Sequence, residues 1–447
     1  MLPLHLKEQP AILRLLARTL MKGEQDWRSV VGRLEAVSGK PWRSFPALAG
    51  RYLAAFEGRK RPRVRDVVAF LLNDKGFRRV RHRLFYSAPA RKWVTAPDEM
   101  RPVEAAAGWA IPAIESVGKL AGWLNITPLD LEWFADLKGL CRRAHDSPLH
   151  HYLYRLVAKR SGSFRLIEAP KPRLKLLQTV ILREILDLIP AHPAAHGFVR
   201  GRSIQSFAAP HVGQRAVLRM DLRDFFPSIF AARVEAFFRT AGYPDEVSSC
   251  LAGICTNAVP DAVWTRDRAK IGVERAFEMR SQYRRPHLPQ GAPTSPAMAN
   301  LCAYRLDCRL AGLAKSAGAV YTRYADDLAF SGGDDFSRGA EGFADRVGAI
   351  LLEEGFEAHY RKTRIMRTGV RQQLAGLVVN ERLNVGRKEF DALKATLTNC
   401  IRLGAESQNR DGLADFKAHL QGRVGFVESV NAARGAKLRG LLGRIAW

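Results

Sequence analysis

Two aspartates, Asp326 and Asp327, stand side by side between Tyr324-Ala325 and Leu328-Ala329-Phe330. Val320–Tyr324 before them and Leu328–Ser331 after them read as strands, so the pair occupies a tight hairpin turn. A third acid, Asp221, closes the apolar run Ala216-Val217-Leu218-Arg219-Met220, which reads as a short buried strand. Adjacent carboxylates repel, and burial makes their charge costlier unless a cation neutralises it. Magnesium suits them, as a hard ion that takes carboxylate oxygens together with phosphates. A strand-end aspartate brought beside that turn would let the three acids hold two ions roughly 3.5–4 Å apart. Asp334-Asp335, a few residues later, read instead as exposed turn acids.

The rest of the chain is strongly basic. Its 447 residues carry 71 Lys+Arg against 44 Asp+Glu, a formal charge of +27. Charge of this size points to a polyanion, nucleic acid first and an anionic membrane surface second. Hydrophobic residues make up 47 % and charged residues 26 %, which is globular composition and excludes wholesale disorder. At roughly 100–200 residues per domain, the length corresponds to two or three domains. No stretch approaches the ~18 uncharged apolar residues of a membrane span, and the N-terminus has no signal-peptide run. None of the six cysteines falls in a Cys-x-x-Cys pair, so neither a zinc spacing nor a disulfide framework is present. That usage fits a reducing cytoplasm, and the missing apolar span gives the expectation of no membrane partner.

Patterning divides the chain into three. Residues 1–145 read as a helical basic extension, with Leu13, Leu16 and Leu20 at helical spacing. Between Arg59 and Arg83 it carries ten Lys/Arg against Asp66 and Asp74, a run that suits RNA or DNA contact. Residues 84–112 read as a linker, and Pro128 to about Lys138 as a helix. Residues 146–380 mix helix and strand. A glycine-turn hairpin joins Arg155–Lys159 to Phe164–Glu168, a helix runs from Pro172 to Leu188, and another from Ala232 to Thr240. Ser295 before Pro296 reads as a helix cap. A helix over Glu341–Glu354 and strands near Phe356–Tyr360 and Leu374–Val379 complete this part, and residues 381–447 are again helical. Irregular alternation with hairpins favours an α+β, palm-like layer over a doubly wound parallel sheet.

Tyr324-Ala325-Asp326-Asp327 resembles the Tyr-x-Asp-Asp box of reverse transcriptases. Met220-Asp221-Leu222-Arg223-Asp224-Phe225-Phe226-Pro227-Ser228-Ile229 resembles the first palm motif of their bacterial members. Leu288-Pro289-Gln290-Gly291-Ala292-Pro293-Thr294-Ser295-Pro296 resembles the second, and the three occur in the family's order. The resemblance implies a right-hand polymerase: fingers and an antiparallel palm with helices over 146–380, and a helical thumb over 381–447. It implies an RNA-directed DNA polymerase with two Mg²⁺ ions and dNTP substrates. Asp221, Asp326 and Asp327 would be catalytic metal ligands, with Leu222 beside them. One ion would activate a primer 3′-hydroxyl and the other would bind the triphosphate. Phe226 matches the gate that excludes a ribose 2′-hydroxyl. Gln290 and Gly291 match the loop against the incoming nucleotide. Arg165 matches a fingers arginine on the triphosphate, with Lys159 or Arg160 assisting, and Lys362 a lysine that could protonate pyrophosphate.

The branch implied is retron-type. His196-Gly197-Phe198-Val199-Arg200-Gly201-Arg202-Ser203-Ile204 resembles the template-contacting segment of retron and group II intron enzymes, which makes Arg200 and Arg202 RNA-binding candidates. His211, the third RNA-binding candidate that the resemblance implies, ends Phe207-Ala208-Ala209-Pro210-His211, where retron enzymes usually carry Asn-Ala-x-x-His, so the asparagine is missing. Their Val-Thr-Gly is likewise replaced, within Leu374-Ala375-Gly376-Leu377-Val378-Val379-Asn380. The expected partners are a structured noncoding RNA and its cDNA, with an effector protein as a further candidate, in antiphage defence. The alternatives are a non-retron defence-associated reverse transcriptase making other DNA products, and a catalytically inert RNA-binding scaffold with the same fold.

Overall fold

The computed structural model describes residues 4–21, 23–38, 41–57, 62–87, 99–143, 150–158, 164–266 and 272–447. The chain divides into two compact units. Met1–Gly108, Ala113–Trp133 and Phe238–Leu251 form the first, and Trp109–Pro112, Phe134–Phe237 and Ala252–Trp447 form the second.

Helices Leu4–Met21, Trp27–Ser38, Phe45–Ala55, Val64–Asn73 and Lys75–Ser87 build the first unit. Apolar residues three and four apart give the first four a buried stripe, and Phe77 anchors the fifth. Leu16, Leu20, Val30, Leu34, Phe45, Tyr52, Val67, Leu71 and Phe77 meet in one core. The basic run therefore lies on two packed helices whose apolar face is inward, and Arg65, Lys75, Arg78 and Arg79 face solvent. Arg59, Lys60 and Arg61 lie outside the described residues. Backbone bonds from Arg101 to Gly242 and from Val103 to Thr240 tie the 99–108 stretch to the 238–251 segment.

The second unit is α+β. β1 (Tyr152–Ala158) and β2 (Phe164–Pro170) pair antiparallel, with Val157 opposite Arg165. Helix Pro172–Glu184 follows, with Pro172 opening its first turn, and ends one turn earlier than the spacing predicts. The central sheet has the order β4-β5-β3-β6, where β3 is Ala216–Asp221, β4 Val320–Tyr324, β5 Asp327–Gly332 and β6 Arg364–Arg367. All its pairings are antiparallel. Helix Asp334–Glu353 covers one face, with Phe343 edge-on to Phe330 at 5.1 Å. It starts earlier than expected, so Asp334 and Asp335 are exposed acids of a first helical turn, where the helix dipole favours them.

Two strand assignments need correction. Ala358 makes only an isolated bridge to Leu222, and the fourth strand of the sheet is Arg364–Arg367. Leu374–Val379 is broken at Ala375 and Gly376, whose φ values of 46° and 88° turn the chain. It becomes β7 (Gln373–Leu374) and β8 (Leu377–Val378), which join β9 (Asn384–Val385) in a small sheet. Ser295 is also not a cap: the N-cap is Thr294, with no side-chain cap bond, and Ser295 opens helix Ser295–Cys302. Helices Arg387–Leu403, Phe416–Val430 and Ala432–Leu442 close the chain on this sheet around Leu393, Leu397, Leu420, Val424 and Leu438. Asn431 links the last two, its side chain accepting from the Arg434 amide.

Candidate active site

β3 and β5 run side by side in the register that sets Asp221 directly opposite Asp327. The Leu222 amide donates to the Asp326 carbonyl at 2.8 Å, so the turn is stitched to the strand end by main chain. β4 and β5 are joined through Ala325 and Asp326, and Ala325 takes φ 55°, a left-handed conformation costly for a residue with a Cβ. The three predicted acids are thus gathered by the pairing of β3 with β5 and the main-chain bond across its turn.

Their electrostatics are those of crowded carboxylates. Burial, with Asp221 and Asp327 nearby, raises the Asp326 pKa above the usual carboxylate range. Burial also raises Asp327, although Arg219 opposes this with two bonds to Oδ1, at 3.0 and 2.7 Å. Lys362 places Nζ 3.0 Å from each oxygen of Asp221. Among the described residues no three His, Cys, Asp or Glu side chains converge as a formed metal site. The donor set nonetheless fits a hard divalent ion, because anionic oxygens held together against their own repulsion are stabilised by added positive charge. Leu222 has a buried apolar side chain, so only its main-chain carbonyl could serve an ion.

Phe226 is half-buried beside the strand end, its ring 6.0 Å from that of Phe198 and 5.7 Å from that of Phe225. Phe198 in turn lies 6.5 Å from Tyr324, so an aromatic group flanks the carboxylates. The Gln290 carbonyl accepts from the Glu168 amide at 2.9 Å, while its side-chain oxygen is buried without a hydrogen-bond partner. Gly291 has φ 139°, and a Cβ there would lie 2.7 Å from the Glu168 carbonyl oxygen. The backbone it admits so closely is β2 of this chain. Beneath, Glu168 is fully buried between His287 Nε2 at 3.0 Å and Asn257 Nδ2 at 2.7 Å. Arg165 is exposed on β2. Lys159 and Arg160 lie outside the described residues.

The RNA-binding candidates fall in three different settings. Arg200 is exposed. Arg202 turns its Nη1 back onto the carbonyls of Pro193 (2.5 Å) and Ala195 (2.6 Å), bracing its own loop. His211 is a correction: it is fully buried, with Nδ1 2.6 Å from Ser331 Oγ and Nε2 2.7 Å from Thr322 Oγ1. Neither ring nitrogen is left to meet RNA, and the residue cross-links β4 and β5. Burial holds its pKa down at about 4, so the ring is neutral at neutral pH.

Sequence reasoning missed Arg219, and it missed a buried group beneath the turn: Asn300, Asp307 and Arg323. A signal for it existed. Arg323 interrupts an otherwise uncharged strand, and Asp307 sits beside Leu306 and Leu310 on a helix, where a charge requires a partner.

Residues 157–394 match the family model described as reverse transcriptase (RNA-dependent DNA polymerase). The chain is similar to the retron Mx65 reverse transcriptase of Myxococcus xanthus, 41 % identical over 65 % of this chain and 64 % of that protein. It is 35 % identical to the retron Mx162 reverse transcriptase of the same organism, over 72 % of this chain and 65 % of that protein. With the retron Ec86 reverse transcriptase of Escherichia coli it shares 33 % identity, over 60 % of this chain and 72 % of that protein. The chain thus spans a little under two thirds of the length of the first two relatives.

Proposed function

The chain belongs to the reverse transcriptase (RNA-dependent DNA polymerase) family, in its retron-type branch, and from that premise we propose that it copies a structured RNA into DNA. The observation that carries the reading is the pairing of Asp221 with Asp327 across β3 and β5, with Asp326 bonded through its carbonyl to Leu222. In this reading β1, β2 and the Gln290-Gly291 loop are the fingers, the four-stranded sheet is the palm, and the three C-terminal helices are the thumb.

Asp221, Asp326 and Asp327 would hold two divalent ions, which supply Lewis-acid activation of a primer hydroxyl and neutralise triphosphate charge. The remaining roles fall to this chain's own groups. Phe226, carried at the end of the β3 turn, takes the place of the ribose gate. Gln290 presents an unpaired buried oxygen on the loop that resembles the nucleotide-facing one. Arg165 offers a planar guanidinium suited to phosphate oxygens. Lys362 places its Nζ beside Asp221 and is our candidate donor to the leaving pyrophosphate. The template and product are inferred from the retron reverse transcriptases it resembles, and we extend the reading to antiphage defence on that resemblance alone.

Purified chain with Mg²⁺, dNTPs and a primed RNA should make DNA, and Asp326→Asn or Asp327→Asn should abolish synthesis while the fold is kept. Undiminished synthesis by both variants would remove the carboxylates from the chemistry. Sequencing the nucleic acid that copurifies separates the products: a short branched RNA–DNA species marks a retron, and its absence a different template.

A further inference from the structure

Arg323 is fully buried directly before the Tyr324–Asp327 turn. Its Nε and Nη2 donate to Oδ1 and Oδ2 of Asp307 at 2.8 and 2.6 Å, the two-pronged pairing that fixes a guanidinium in one plane. Tyr321 holds the same carboxylate from the other side, its hydroxyl 2.8 Å from Oδ1. Nη1 is shared between Asn300 Oδ1 at 2.9 Å and the Ala325 carbonyl at 3.1 Å, so the guanidinium grips the strained turn residue itself. Asn300 then donates from Nδ2 to the Gly197 carbonyl at 2.8 Å. The main chain repeats the link: the His196 amide donates to the Arg323 carbonyl, and the Arg323 amide to the Ala194 carbonyl, each at 2.7 Å. Gly197 lies so close that a Cβ would stand 2.5 Å from the Ala325 nitrogen.

A buried ion pair is a poor device for stability, since desolvating both charges offsets their attraction. What it does supply is direction: four guanidinium bonds leave Ala325 a single position relative to helices Ser295–Cys302 and Tyr304–Ser316. We propose that Asp307, Arg323 and Asn300 are positioning residues that lock the turn bearing Asp326 and Asp327 to the Gly197 loop, so that the carboxylates and the segment carrying Arg200 and Arg202 move as one body. The consequence is mechanical. Template engaged by that loop is held in fixed register with the carboxylates, and slack at the Asn300 joint misplaces the acids without releasing them. The role in catalysis rests on the polymerase reading above, and the mechanical link does not.

Removing Arg323 or Asp307 would leave a lone buried charge and endanger the fold. Asn300→Ala opens the joint while the ion pair stays whole, and Gly197→Ala strains it from the loop side. Two measurements decide. Amide exchange in the full chain should rise locally, at residues 196–198, 222 and 325–327, with residues 216–218 and 330–332 unchanged. Single-nucleotide incorporation should show kcat lowered by about 10- to 100-fold, since a small misplacement of reacting groups costs that much, with KM for dNTP little changed. Exchange that rises evenly through the sheet, or kcat equal to that of the unsubstituted chain, overturns the proposal. If the unsubstituted chain incorporates no dNTP, the polymerase reading fails and the exchange pattern alone decides: a local rise upholds the link and an even one overturns it.

Discussion

Lowering the pH from 7 to 5 should cost the folded chain about 2 kcal/mol at one residue, His211, and His211→Gln should abolish that loss. Thr322 donates its hydroxyl proton to the Phe207 carbonyl at 3.0 Å, so His211 donates to Thr322 from Nε2 and accepts from Ser331 at Nδ1. A second ring proton would sit on the fully buried face of the ring toward Ser331. Burial, with His196 nearby, therefore depresses the pKa from 6.5 to about 4. The unfolded chain takes up its proton near pH 6.5 and the folded chain refuses it until about pH 4. Stability from this group is complete above pH 6.5 and is lost as the pH falls through that window. At about 1.4 kcal/mol per pKa unit the full loss is about 3 kcal/mol, of which about 2 falls above pH 5. Urea unfolding of both proteins at pH 7, 6 and 5 reads it directly. The stability gap between them should narrow by about 2 kcal/mol, while other titrating groups, including Asp326 and Asp327, cancel in the difference. Parallel stability curves would refute the reasoning. So would a loss of RNA affinity at pH 7 without a loss of stability, which would return His211 to the RNA surface.

Phe226→Ala should raise ribonucleotide relative to deoxyribonucleotide incorporation, measured as the ratio of kcat/KM values, and an unchanged ratio would remove the residue from the gate. Arg78→Gln with Arg79→Gln and Arg81→Gln should weaken RNA binding and flatten the slope of log K against log salt by about 0.7–0.9 for each phosphate no longer neutralised. An unaltered slope would make the basic helices a plain solvated face.

The catalytic candidates were legible because their chemistry is local. Asp326-Asp327 between two apolar runs announces a hairpin, and Asp221 closing an apolar strand announces a buried acid. Helix Pro172–Glu184 and the C-terminal helices could be read from spacing alone, since one amphipathic face repeats within the segment itself. β6 could not. Its four residues, Arg364–Arg367, hold two arginines, and they form a strand only because β3 presents an open edge to them. The same holds for Leu374–Val379, whose apolar run conceals a turn at Ala375-Gly376.

Side-chain destinations divide along this line. Residue type and near-neighbour spacing sufficed for the order of the motifs, the hairpin with its two acids, the strongly basic charge and the α+β class. Packing between distant segments was needed to set Asp221 opposite Asp327, to make His211 a core cross-link, and to turn Arg202 back onto its own loop. It alone brought Asn300, Asp307 and Arg323 together beneath the turn. A basic or imidazole side chain reads identically on paper whether it meets a phosphate or a buried carboxylate. What separates the two is whether distant segments, by packing, remove the water around it.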